Sequence, residues 1–530
     1  VTAASKQARL FEKRSKNFCL NSKSFLVLFF KKELLLAASF PFLPSTATAR
    51  VFYIAATGTD TNAGTSKSAP WLHAPGMVNC TATCAATTPA PGDSVILRGG
   101  DFWHYGASKS TVLTGGEWDW HWSGTAASPI YIGVDPTWYA GASWTRPVLT
   151  GDGTYGDTGS FLNMGGSTYF TVDNLEFTGL YWDAADTVWG NATYIVVHES
   201  TDYLIEHNYF HGWSHASLAS GTGDNGGGII GSTYGNYSGG VAYANVFDGS
   251  DTAQDSFTTI YGAPESIYAN VFNYVMSEQG TMLTFHDNLV MNIVNSFTDV
   301  PNNPNDAHPD AWQDNGSCNA TFYNNVFHNT ATGAQISMGP VSGCTDYAFN
   351  NVIYNMATTN GFAQGPGAVQ NSGGLSVLFN NSIEGGTWTR KKPYGACFRI
   401  ESSLATATIE NTQCITSDSS IYFTDGASPL LRANQKLSLH AASLQGYSTG
   451  ETYAFAPPST TGKTVGHGAN QQTSCKDIAV IDAAAGLACQ SDTTYAVGYD
   501  TATHSVIIPG RIIVPRPLTG KWDVGAYQFP

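Results

Sequence analysis

Between Arg146 and Arg390 the chain has no lysine and no arginine, although the same stretch carries 22 aspartates and glutamates and seven histidines. A body without cationic side chains is poorly made to grip a polyanion, because such a grip rests on guanidinium or ammonium groups or on a bound divalent cation. Whatever this stretch binds is therefore expected to be neutral, or to be held through a divalent cation such as Ca2+. Charge is scarce overall: 12% of the 530 residues are Asp, Glu, Lys or Arg, and the formal net charge is −16. That balance argues against nucleic acid or an anionic membrane surface as partner. After residue 50 no apolar run is long enough to span a membrane.

The first fifty residues differ from the rest. Lys31 and Lys32 precede an apolar stretch, Leu34 to Leu43, and then Ala47-Thr48-Ala49, a small-residue cleavage pattern. We expect a secretory leader over 1–49; a membrane anchor is the alternative, but the apolar run is short and broken by prolines. Eight cysteines remain beyond it, a number that pairs off in an oxidising compartment. Their scattered spacings argue against a cysteine metal site.

What the chain has in abundance is a phrase with a fixed asparagine: VDNLEF at 172–177, IEHNYF at 205–210, YANVFD at 243–248 and YANVFN at 268–273, then FHDNLV, FYNNVF, AFNNVIYN, FNNSIE and IENTQC. One asparagine per copy gives Asn174, Asn208, Asn245, Asn270, Asn288, Asn325, Asn351, Asn381 and Asn411. Most intervals run from 25 to 37 residues, the period of a stacked supersecondary unit. The units are β-rich, and a unit of this kind buries its apolar face only by stacking on its neighbours. Asparagine suits a repeated turn because it tolerates the left-handed conformation and its amide can hydrogen-bond up and down a stack. The 18-residue gap between Asn270 and Asn288 is too short for a full coil, so one of the two is expected to be off-phase. Cys318 and Cys344 each lie seven residues before a repeat asparagine, and a disulfide between them would staple one coil to the next. Cys80–Cys84, Cys397–Cys414 and Cys475–Cys489 are the other expected pairs.

The opening GTDTNAGTSKSAPW, the strand GDSVILRGG, the asparagine-marked coils and the ending WDVGAYQF at 522–529 resemble secreted right-handed parallel β-helix proteins of the pectate-lyase-like superfamily. The resemblance implies an all-β solenoid and says little of function, since that fold carries lyases, hydrolases, epimerases and non-enzymes. We expect an N-terminal cap and first coils over 50–145, a central parallel β-helix over 146–425, and C-terminal coils with a capping tail over 426–530.

Chemistry is expected where the rhythm stretches. The 37-residue interval before Asn325 contains Asp306, His308, Asp310, Trp312, Gln313 and Asp314. Strand alternation puts His308, Asp310 and Trp312 on one face, where Trp312 would serve as a sugar platform beside a proton-transferring carboxylate. The 37-residue interval after Asn208 holds His211, Trp213, His215 and Asp224, with Asp251 and Asp255 in the following coil and His286 and Asp287 near by. Asp224, Asp255, Asp306 and Asp310 are candidate acid–base carboxylates, and Trp213, Gln313 and His286 candidate substrate contacts. Asp287, Asp306 and Asp310 would be ligands if the protein takes Ca2+. His207, His211 and His215 are spaced as on a helix but read as loop histidines, with a metal site as the alternative. Three functions follow: a polysaccharide hydrolase with paired carboxylates; a Ca2+-dependent uronate lyase with His308 or Lys391 as base; or a non-enzymatic, glycan-binding or filament-forming solenoid.

Overall fold

A computed structural model of the chain describes residues 48–104, 118–155, 159–182, 192–215, 230–231, 238–251, 258–261, 264–275, 277–280, 283–293, 311–314, 318–330, 334–337, 341–355, 367–369, 374–385, 395–400, 406–424 and 426–530. Ala49–Pro530 forms one compact unit. Each coil visits three parallel sheets in turn, as in Phe170–Asp173, Glu176–Trp182 and Ala192–Val196, before Leu204–Glu206 returns to the first sheet. Among the described residues the first sheet has 13 strands, from Val51–Ile54 to Leu430–Arg432; the second has 13 on its main path, from Phe102–His104 to Gln435–Leu437; the third has 11. The chain is a right-handed parallel β-helix, the hand that parallel crossovers take.

The corner between first and second sheets is a two-residue device. Asn174, His207, Ala244, Ala269, Asp287, Asn324, Asn350, Asn380, Asn411 and Ala433 all have positive φ, from 47° to 61°. The residue after each is the ladder position, and from Asn208 to Asn381 it is always asparagine. Asn245 shows the pattern: its Nδ2 donates to Ile205 O at 2.8 Å and to Asn270 Oδ1 at 3.1 Å, while its Oδ1 accepts from Asn208 N and Nδ2 at 3.0 and 3.1 Å. The ladder amides from Asn208 to Asn381 are buried, and from Asn208 to Asn351 each Nδ2 donates at least twice, as buried polar groups require partners. Two expectations are thereby corrected. Asn174 and Asn411 are the left-handed residue one place before the ladder, whose occupants there are Leu175 and Thr412. Asn270 and Asn288 are both in phase, since Asn270 N donates to Asn288 Oδ1 at 2.9 Å. Strands of three or four residues, Ser266–Tyr268, Val271–Asn273 and Ser277–Gly280, let a full coil close in 18 residues.

Inside, side chains stack coil on coil: Phe177, Phe210, Phe247 and Phe272 follow one another with ring centroids 5.0, 5.0 and 4.9 Å apart. That spacing is the strand separation of a sheet. All four expected disulfides are present, Cys80–Cys84, Cys318–Cys344, Cys397–Cys414 and Cys475–Cys489. No helix among the described residues is long and apolar enough to cross a membrane.

The tail runs back along the first–second corner. Ala469 exchanges two hydrogen bonds with the Asn411 side chain, both 2.7 Å; Ser491 O accepts from Asn350 Nδ2 at 3.0 Å; Ala496 N and Val497 N donate to Asn324 O and Asp287 O, both at 3.1 Å. The strap ends in the hairpin Gly498–Asp500 and Ser505–Ile507. Its helices Gln472–Ile481 and Ala483–Ala488 lie on the first sheet, where Cys475, Ile478, Ala485, Cys489 and Trp522 pack with Tyr323, Tyr347, Phe349 and Phe379. Gly525, at φ 96°, sits where a Cβ would come 2.6 Å from Ser382 Oγ, so the closing WDVGAYQF needs its glycine.

Candidate active site

The first sheet turns alternate side chains outward, and the position two residues before the ladder forms one outer column. Asp173 pairs with Glu206, Glu206 with Tyr243, Tyr243 with Tyr268, Tyr268 with His286, His286 with Tyr323, and Tyr323 with Phe349. Where this column passes from Gly133 to the acidic coils, Asp173, Glu206 and His207 bring one donor atom each within 4.8 Å of one another. His207 Nδ1 lies 2.9 Å from Asp173 Oδ1 and 3.8 Å from Glu206 Oε2. The other Asp173 oxygen accepts from Tyr131 Oη at 2.6 Å. The Tyr131 ring reaches it by folding over Gly133, where a Cβ would meet Tyr131 Cζ and Oη at 2.5 Å; only glycine leaves that passage open.

The electrostatics follow from burial. The Asp173 and Glu206 side chains keep 17% and 20% of their exposure and His207 47%. Burial, reinforced by the Asp173 charge and opposed by His207, raises the pKa of Glu206. The hydrogen bond to Asp173 raises that of His207, against its own burial. Burial and the bond to Asp173 raise Tyr131 as well. Tyr243 stands edge-on to His207 with centroids 5.4 Å apart, and burial followed by the Glu206 charge raises its phenol.

Arg146, the last cation before the cation-free stretch, sits beside this cluster without touching a carboxylate in any described hydrogen bond. Its Nε donates to Asn174 Oδ1 at 3.0 Å, Nη1 to Thr503 O at 3.0 Å and Nη2 to His207 O at 3.4 Å. It ties the strap's hairpin to the turn that carries His207.

A second cluster lies on the second sheet. His211 is held between Glu176 Oε1, 3.1 Å from Nε2, and Asp251 Oδ2, 2.6 Å from Nδ1. Tyr209 stacks on its ring at 4.2 Å and His504 of the hairpin stacks on Tyr209 at 4.3 Å. Burial pulls the His211 pKa down, but the hydrogen bonds to Asp251 and Glu176 outweigh it and hold it at about 9. With both nitrogens facing carboxylates, His211 has no nitrogen free for a metal.

The residues expected from sequence fare differently. Asp224, Asp255, Asp306, His308 and Asp310 lie outside the described residues, as does the side chain of Gln313. Trp312 and Trp213 are fully buried: Trp312 packs on Phe285 with centroids 4.2 Å apart, so neither indole is a sugar platform. His286 is on the outer column, stacked between Tyr268 and Tyr323 at 4.8 and 4.6 Å. Asp287 is no free metal ligand, since one oxygen meets His286 Nδ1 at 2.5 Å and the other accepts from Thr494. A Ca2+ ion takes six to eight oxygens; two carboxylates, a phenol and an imidazole nitrogen fall short of that set.

Sequence reasoning passed over Asp173 and Glu206, and took His207 for a loop histidine, because they stand inside the regular phrases VDNLEF and IEHNYF. Aligned on the ladder, the outer column reads Asp, Glu, Tyr, Tyr, His, Tyr, Phe, Phe from residue 173 to 379. That order is visible in the sequence once the ladder phase is known.

No protein-family model matches the chain, and neither does any curated protein. Solved structures do. The pectate lyase Pel9A is similar at 14% identity over 91% of this chain and 97% of that one, with a TM-score of 0.37. The GH136 lacto-N-biosidase from Eubacterium ramulus is similar at 14% identity over 74% and 68%, TM-score 0.35. An alginate lyase from Paenibacillus sp. str. FPU-7 is similar at 16% over 64% and 91%, TM-score 0.31. At TM-scores under 0.5 these likenesses carry no argument about the site, and the fold rests on the strand registers above.

Proposed function

We propose that this protein is a secreted carbohydrate-active enzyme that hydrolyses glycosidic bonds with Glu206 as general acid and Asp173 as its partner carboxylate. The observation that carries the reading is the raised pKa of Glu206 beside Asp173 on the neighbouring coil, at the head of an outward row of tyrosines. A carboxyl group kept protonated by burial can donate to a leaving oxygen, and a second carboxylate close by can attack or stabilise the sugar cation. Separation below about 5.5 Å suits the covalent, retaining course, and the donor atoms here lie within 4.8 Å. Tyr131 and His207 orient Asp173 from two sides. The phenols of Tyr243 and Tyr268 are donors and acceptors for sugar hydroxyls. Four disulfides fit an oxidising, extracellular setting.

The test is a glycan panel read two ways. New reducing ends without ultraviolet absorbance of an unsaturated uronate, lost in Glu206→Gln and indifferent to chelator, support the hydrolase. Unsaturated products that vanish with chelator overturn it in favour of the Ca2+-dependent lyase. Asp224→Asn, Asp255→Asn, Asp306→Asn, His308→Ala and Asp310→Asn belong in the same panel: a loss there with Glu206→Gln unaffected moves the chemistry to those residues. Silence on every glycan favours a binding or filament-forming solenoid.

A further inference from the structure

The outer column of the first sheet is roofed toward its C-terminal end. From Glu206 it runs through Tyr243, Tyr268 and His286, all half-buried and in register, the three rings following one another with centroids 4.8 Å apart. The next residue, Tyr323, is 2% exposed, and Phe349 and Phe379 beyond it are fully buried. What covers them is the strap: Cys475 and Ile478 of one helix, Ala485 of the next and Trp522, with Cys475–Cys489 joining the covering segments. Along its side runs the same strap, whose Val497 shares with Ala269 and Val271 a buried cluster against which Tyr243, Tyr268, Tyr499 and Val506 pack. The rings from Tyr268 to Phe379 follow one another at 4.6–5.2 Å, so the sheet itself continues while access to it stops at Tyr323.

We propose that the tail sets the mode of attack: the cleft beyond Glu206 is a dead end about three coils deep, so the enzyme works from a chain end and releases short products of uniform length. This rests on the hydrolase reading of Glu206 and Asp173. Three coil steps span roughly 14 Å, room for a short oligosaccharide and not for a polymer passing through. A chain lying along the column meets the roof of helices after its terminal sugars, and the bond above the Asp173–Glu206 pair is then a fixed distance from the end. The roof residues act on substrate length alone and are specificity-determining, not catalytic.

The experiment follows viscosity and reducing ends together on a long soluble glycan that the panel shows to be cleaved. The expected result is reducing ends accumulating with little fall in viscosity and one short product class from the first time point. An early collapse of viscosity with a spread of product lengths overturns the proposal while leaving the hydrolase reading intact. Where no glycan is cleaved, calorimetric titration of the Glu206→Gln chain with cello-, xylo- and chito-oligosaccharides from dimer to octamer separates the two ideas. Affinity that rises and then stops near the trimer or tetramer supports the dead-end cleft although the hydrolase reading fails. Affinity still rising to the octamer, or no binding in any series, overturns it.

Discussion

At the scale of single residues, Glu206 and Trp312 sit in opposite environments and invite opposite tests. Replacing Glu206 by Gln removes the carboxyl group whose pKa burial raises, and kcat should fall by about 10²–10⁴-fold with thermal stability held or improved, measured on whichever glycan is cleaved. The sign of the pH dependence follows from the raised pKa: the acid works below that pKa and is lost as pH rises through it, so the rate should fall on the alkaline side, at a pH above the ordinary carboxylate range. Trp312 behaves as core. Trp312→Ala should cost about 3–5 kcal/mol of unfolding free energy, read by denaturant titration, whereas Trp312→Phe should leave KM unchanged; a raised KM in the folded Phe variant would put the indole against substrate after all. The tryptophan was legible in sequence as a large aromatic near acids, but period-two alternation only says which residues share a face. It does not say whether that face looks in or out.

At the scale of the repeating element, the ladder asparagine is the part most plainly written in the sequence, because the same chemistry is required on successive coils and nothing else supplies it. Asn288→Ala removes the acceptor used by Asn270 N and Nδ2 and the donors to Ile267 O and Asn325 Oδ1. With buried groups left unpaired on both sides it should cost about 2–5 kcal/mol, and amide exchange should accelerate first in the flanking coils. Position by one residue was the harder matter: Asn174 and Asn411 look like ladder members, yet the left-handed residue and the ladder residue are neighbours that both accept asparagine. The second-sheet element gives a pH prediction. His211 goes from an ordinary 6.5 to about 9 on folding, so its contribution is fully present below about pH 6.5 and is lost as pH rises through about 9. Stability should decline over that window by on the order of 3 kcal/mol, and His211→Gln should flatten the decline in a series of melts.

At the scale of the whole molecule, the strap makes the solenoid's outer face what it is. It returns from Asn411 to Arg146 along one corner and buries Arg516, whose Nη2 reaches Asn350 Oδ1 and the carbonyls of Gly525 and Ala526; that complete burial lowers its pKa to about 10. A chain ending after Leu437 would bare Tyr323, Tyr347, Phe349 and Phe379 together. We expect it to aggregate or to bind a hydrophobic dye, and to lose cooperative melting, checked against the full chain by light scattering and calorimetry. A soluble, cooperatively melting truncation would show that the tail is an accessory laid on a finished solenoid.

The sequence by itself determined that the chain coils, how often it turns, which cysteines meet and how little positive charge the body carries, because these depend on residue type at a repeating interval. Only the tertiary structure decided which copies stand in phase, that Trp213 and Trp312 face inward, and that Asp173, Glu206 and His207 come together. Those three belong to two different repeats, and their meeting is a matter of register across a 4.8 Å step between coils. A periodic pattern announces that such steps exist; the hydrogen-bonded alignment of each strand with the next fixes which side chains share them.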